Sequence, residues 1–154
     1  MSHEPSKCEQ AIVLAVKDTL ENMVFMEAFP VTDGSQLPDE PPCLVAHLLI
    51  HDPLQGELHL IMPRLLAEKI SQTIYGLPEE ELTEQIINDT FAEVINVIAG
   101  RFMNEFLPKQ QLYRLGLPEL HPADVKDPEL PHKEWLLTAD GMKFLVRIVG
   151  KAFF

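Results

Sequence analysis

The sequence predicts an α+β domain in which an antiparallel sheet carries two long helices on one face. Three observations lead there. Apolar residues recur at helical spacing in two long stretches, 6–26 and 79–106. They alternate with a period of two over 43–51 and 57–62. Near the end of the chain an Asp140-Gly141 pair divides two further apolar runs, a strong hairpin signal. Helices gathered on one face of an antiparallel sheet are the layer arrangement that this mixture of elements favours.

From Ser6 to Met26, Ile12, Val13, Val16, Leu20, Met23 and Val24 recur between polar Lys17, Asp18 and Glu21, so an amphipathic helix is expected, closed by the Phe29-Pro30 step. Gly34, Pro38, Asp39, Glu40 and Pro41 make 33–42 a loop or an edge turn. Cys43 to His51 reads as a strand with Leu44, Ala46, Leu48 and Ile50 on one face. After a turn at 52–56, Glu57 to Met62 returns with Leu58, Leu60 and Met62 inward. Pro63 suits the first turn of a short helix running to Tyr75, where Gly76 stops it. A longer helix is expected after Pro78, reaching about Phe106, with Glu79, Glu80 and Glu81 complementing the positive end of its dipole. Leu112 to Leu120 reads as one short strand ended by Pro118 and Pro122, followed by a loop over 122–133. Glu134–Thr138 and Lys143–Phe154 form the closing hairpin, with Phe144, Val146 and Ile148 on one side and Lys143, Arg147 and Lys151 on the other. Residues 1–154 read as one domain whose halves share a helix-then-hairpin plan.

Composition narrows the function. The 154 residues are 46% hydrophobic and 23% charged, enough to bury a core without staples. No apolar run approaches the roughly 18–20 residues of a membrane span, and the N-terminal ten residues are too polar for a signal peptide. Cys8 and Cys43 make no disulfide framework, which points to the cytoplasm. A net charge of −12 argues against unspecific binding to nucleic acid or to an anionic membrane. No phosphate-binding glycine loop, zinc-protease helix or serine-hydrolase elbow is present. The two cysteines lack an evident His or Asn partner, so they read as small hydrophobes. His47, His51 and His59, with Glu57, would share the outward face of the 43–62 hairpin, where imidazoles could bind a transition metal; scattered polar residues on a strand face are the ordinary alternative.

The informative stretch is 88–100. At about 100° per residue, Asp89, Glu93, Asn96 and Gly100 fall within a stripe roughly 60° wide, opposite Phe91, Val94, Ile95, Ile98 and Phe102. Two carboxylates, a carboxamide and a position without a side chain therefore line the open face of a helix. Polar residues on such a face need no function, but a glycine inside a helix costs about 1 kcal/mol against alanine and invites a reason such as close approach by another surface.

Asp89-x3-Glu93-x2-Asn96, followed after 21 intervening residues by Pro118, resembles the pattern of the CheC/CheX/FliY phosphatases that act on the phosphorylated chemotaxis response regulator CheY. The family's usual interval is one residue longer. The opening helix, Ala15 to Met23, also looks like the first helix of CheX proteins. CheC and FliY tend to carry the motif twice. Here Glu21 is followed three positions later by Val24, so a single copy and a short chain favour CheX.

The resemblance implies a pseudo-twofold CheC/CheX-like fold and a homodimer joined through sheet edges, one of which the final hairpin could supply. It implies a phosphorylated CheY-like receiver domain as substrate, Glu93 and Asn96 as the catalytic pair, and Asp89, Gly100 and Pro118 as substrate-binding or site-shaping positions. It implies no cofactor of the chain's own, the Mg²⁺ belonging to the receiver. The side-chain chemistry agrees: a carboxamide can hold a water without adding charge, and a carboxylate can pair with a rim lysine. The alternative is a non-catalytic adaptor that binds a response regulator or flagellar-switch component through the same face. Six acids and no Lys or Arg lie between Glu79 and Gly100, so the acidity is concentrated where such a partner would dock.

Overall fold

The computed structural model describes residues 4–32, 43–121 and 128–154. Among these residues three helices, α1 (Lys7–Val24), α2 (Arg64–Tyr75) and α3 (Glu84–Phe106), accompany seven strands. These are β1 (Ala28–Pro30), β2 (Cys43–Asp52), β3 (Gly56–Pro63), β4 (Arg114–Leu115), β5 (Glu119–His121), β6 (His132–Ala139) and β7 (Met142–Val149). Single 3-10 turns occupy Glu79–Glu81 and Lys151–Phe153.

Hydroxyl caps start both long helices. The Ser6 side chain accepts from the Glu9 N–H at 3.1 Å, and that of Thr83 accepts from the Ile86 N–H at 3.1 Å. The cap at Thr83 corrects one expectation: Glu79, Glu80 and Glu81 sit in their own turn, and only Glu84 lies in the first turn of α3. Glu84 is gripped by both terminal nitrogens of Arg64, which also bonds Glu68, so the starts of α2 and α3 are clamped together. At its other end α1 stops earlier than expected. Phe25 takes a left-handed conformation (φ 58°) and its N–H closes onto the Glu21 carbonyl, freeing Ala28–Pro30 to become β1 rather than a helix end. α2 runs between Pro63 and Gly76 as expected.

The sheet order is β1-β6-β7-β3-β2, with β4 and β5 both on the outer edge of β2. The single strand expected over 112–120 is thus two. Gly116 N–H still bonds the Leu49 carbonyl at 2.7 Å, but Pro118 has no N–H to give and the ladder breaks there. Asp140 and Gly141, both at positive φ (50° and 76°), make the tight turn between β6 and β7. β7 ends at Val149 rather than running to Phe154. The chain then turns so that the buried Phe153 ring meets Phe102 and Phe106, with centroids 5.9 and 5.5 Å away. Gly56 is obligatory beneath this turn, because a Cβ there would stand 2.3 Å from the Val149 carbonyl oxygen. β7 lies against β3, and β1 covers β6 over Leu137–Ala139. The loop expected over 33–42, and residues 122–127 of the one expected over 122–133, lie outside the described residues.

This order has twofold character about the β3–β7 contact. Each long helix is followed by a strand that pairs with the hairpin of the other half, β1 on β6 and β4/β5 on β2. All three helices contribute to one core, in which Ile12, Val16, Phe91, Ile95, Phe102 and Leu66 meet Leu48, Leu60 and Val146 of the sheet. On the other sheet face a smaller cluster joins Val45, Ile61 and Leu145. Beside it one row crosses five strands: Glu119, His47, His59, Arg147 and Glu134. Arg147, expected to be outward, does face away from the helices, yet it is buried and bonds Glu134 at 2.9 and 3.1 Å.

Candidate functional site

α3 places the four stripe residues as its period requires. Phe91, Val94, Ile95, Ile98 and Phe102 are buried; Asp89, Glu93 and Asn96 are exposed, and Gly100 is half-buried. Glu93 and Asn96 are three residues apart, so their Cα atoms are separated by about 4.5 Å along the axis and both side chains leave the same side. Among the described residues, the side chains of Asp89, Glu93 and Asn96 form no hydrogen bond or ion pair within the chain. Three polar groups on a rigid helix are therefore available to something outside the molecule.

Gly100 faces a neighbour from its own chain. The Tyr113 hydroxyl donates to the Gly100 carbonyl at 3.4 Å, and a Cβ on Gly100 would lie 3.6 Å from that oxygen, an ordinary contact. Sequence reasoning missed the contact of Tyr113 with this turn of α3, because nothing local in 112–120 says which helical turn it will cover. Beyond it, Met103, Asn104, Pro108, Gln111 and Leu112 help line an open cleft of about 380 Å³ at the end of the stripe. The segment that starts at Tyr113 touches α3 again through β5, and Leu117 and Pro118 lie between these two contacts. Leu117 is 86% exposed while Pro118 is half-buried, so the fold brings the Pro118 loop to the same helix as Glu93 and Asn96.

The cysteines sit where burial disfavours their thiolates. Burial pushes the Cys8 thiol up to about 12 and raises that of Cys43, the wrong direction for a nucleophile. The histidine group is rearranged. His51 lies beside Gly116, and His59 is held by Glu57 at 2.7 Å and faces Arg147 at 3.5 Å. Burial draws the His59 ring below its ordinary value, and the bond to Glu57 offsets only part of that. The groups that converge are instead His47 of β2 with Glu119 and His121 of β5. Glu119 and His121 escaped the sequence reading because only the β2–β5 register brings them to His47, and alternation within β5 says nothing of its partner.

The helices lie on one face of a strand-exchanged antiparallel sheet, and the exposed Glu93 and Asn96 stand on α3, the second of the two long helices. The chain belongs to the family described as chemotaxis phosphatase CheX, whose model matches residues 44–126. No curated protein matches in sequence. Solved structures that share the fold include chemotaxis protein CheX from Vibrio vulnificus, at 14% identity and a TM-score of 0.73 over 96% of this chain and 99% of that one. A CheC-like superfamily protein from Shewanella sp. PV-4 is also 14% identical, with a TM-score of 0.75 over 95% and 98%. The Borrelia burgdorferi CheX–CheY–BeF3–Mg²⁺ complex matches at 16% identity and a TM-score of 0.69 over 91% and 95%. Among the described residues, no helix is long and apolar enough to cross a membrane.

Proposed function

We propose that this chain accelerates hydrolysis of the aspartyl phosphate of a CheY-like receiver domain, with Asn96 and Glu93 as the acting pair. The observation that carries the reading is the pairing itself: a carboxamide and a carboxylate one turn apart, both exposed and both without a partner among the described residues. Membership in a phosphatase family and the CheY complex of a Borrelia relative support it.

In this reaction a water attacks phosphorus in line, the bond from phosphorus to the receiver carboxylate breaks, and inorganic phosphate leaves. Positioning and charge neutralisation supply most of the acceleration. The Asn96 carboxamide oxygen accepts a hydrogen bond from the attacking water, and its N–H₂ donates to a phosphoryl oxygen. It adds no negative charge beside an already anionic group. Glu93 pairs with a lysine at the rim of the receiver site and sets the register of the two proteins. Asp89, one turn back, extends the docking face. Gly100 with Tyr113 and the Pro118 loop bound it. The resemblance assigns the Mg²⁺ to the receiver. The resemblance also carries a homodimer, and the sparse cysteines a place in the cytoplasm.

Phosphate release from a phosphorylated receiver of the same organism tests the reading, with wild type, Asn96→Ala and Glu93→Ala in parallel. Asn96→Ala is expected to lower kcat at least about a hundredfold with KM little changed, the scale of a lost positioning contact. Glu93→Ala is expected to raise KM about tenfold, in line with losing one charge-assisted hydrogen bond. Binding of the receiver with no acceleration by wild type would instead identify an adaptor.

A further inference from the structure

We propose that His47, Glu119 and His121 form a zinc(II) site that clips the edge strand β5 to β2, on the sheet face opposite Glu93 and Asn96. The register sets Glu119 directly across from His47 and His121 across from Val45, so all three side chains leave the same face of two adjacent strands. The two imidazole planes are 10° apart with centroids at 4.2 Å, so the rings meet edge to edge through their nitrogens. Nδ1 of His47 and Nε2 of His121 meet directly, and the Glu119 carboxylate lies 3.4 Å from Nε2 of His47. One donor atom from each of the three residues falls within 4.8 Å of the others.

Two imidazole nitrogens aimed at each other can share only one proton, whereas a divalent ion, admitted once side-chain rotation parts the two rings, uses both lone pairs. The Glu119 carboxylate then offsets part of the ionic charge. Two imidazoles with one carboxylate are a donor set that zinc accepts in tetrahedral geometry, with water completing the shell. His59, the next residue along the row, is not a donor, because Nε2 is taken by Glu57 and Nδ1 faces Arg147. Arg147 is in turn bonded by Glu134, which moderates its repulsion of an ion. Glu119 and His121 are exposed, so an ion has a path in from solvent.

The position gives the site a consequence. β5 has three residues, and Leu120 between the two ligands turns to the opposite face and packs on the helical core. Pro118 immediately precedes it. An ion that fixes Glu119 and His121 therefore fixes the strand that anchors the Pro118 loop against α3.

The test uses the untagged full chain, stripped with a chelator and titrated with Zn²⁺ alone by calorimetry. One zinc per chain is expected. His47→Ala and His121→Ala should each weaken binding at least tenfold, Glu119→Gln by less, and His132→Ala not at all. Because Glu119 and His121 are exposed, their variants probe the site without disturbing the core. Co²⁺ in place of zinc should give the visible absorption of a tetrahedral ion, lost in His121→Ala. Absence of stoichiometric zinc binding by wild type, or wild-type affinity in His121→Ala and Glu119→Gln, overturns the proposal. Neither result bears on the phosphatase reading, which rests on other residues.

Discussion

Thr19 lies fully buried in α1, and its hydroxyl has no hydrogen-bond partner among the described residues. Other helical hydroxyls in the chain bond the carbonyl four residues back: Ser71 to Ala67 at 2.8 Å, Thr73 to Lys69 at 3.0 Å and Thr90 to Ile86 at 2.7 Å. Thr19→Val keeps the branched shape and removes the unpaired group. The expected outcome is a gain of about 1 kcal/mol, read as a higher urea midpoint with an unchanged slope. At this scale the candidate site was legible as far as side-chain type and helical phase could carry it. Asp89, Glu93 and Asn96 stand on the open face of α3 because the opposite positions are large and apolar, a fact local to thirteen residues. Arg147 was legible in direction but not in burial, since its cover depends on strands far away in sequence.

Among the elements, Gly100 separates the demands of stability from those of docking. The tyrosine contact leaves room for a methyl group at 3.6 Å, and alanine is about 1 kcal/mol better than glycine inside a helix. Gly100→Ala is therefore expected to raise the melting temperature. It should also raise KM for the phosphorylated receiver, because the added methyl stands on the docking stripe; melting curves and phosphate-release kinetics measure the two effects side by side. Strong periodicity made β2, β3, α2, α3 and the Asp140-Gly141 hairpin readable from sequence. β1 was hidden because three residues following a helix carry no pattern, and its ladder is made with β6 in the other half. The break between β4 and β5 was hidden for the opposite reason. Pro118 was visible, but whether a proline ends a strand or merely interrupts it is decided by the neighbour on which the strand lies, here β2. The same missing register concealed the meeting of His47 with Glu119 and His121.

For the molecule as a whole, the exchanged edge strands make neither half complete. α1 belongs to the first half, yet Glu9 on it accepts a hydrogen bond from the Trp135 indole at 3.0 Å, and β1 lies on β6. One cooperative transition is therefore expected, with Trp135 fluorescence and far-ultraviolet circular dichroism giving coincident denaturation curves. If two copies associate as proposed, the midpoint will also rise with protein concentration; an invariant midpoint would count against the homodimer.

The exchange also bears on how the chain is made. Ala28 pairs with Ala139, so β1 leaves the ribosome more than a hundred residues ahead of its partner strand. At typical bacterial to eukaryotic synthesis speeds that is a delay of roughly 5 to 20 s, far longer than the microseconds to milliseconds a helix or hairpin needs to form. During that interval the apolar face of α1 has no completed sheet to cover it. The last hairpin to emerge is thus the one that closes the fold.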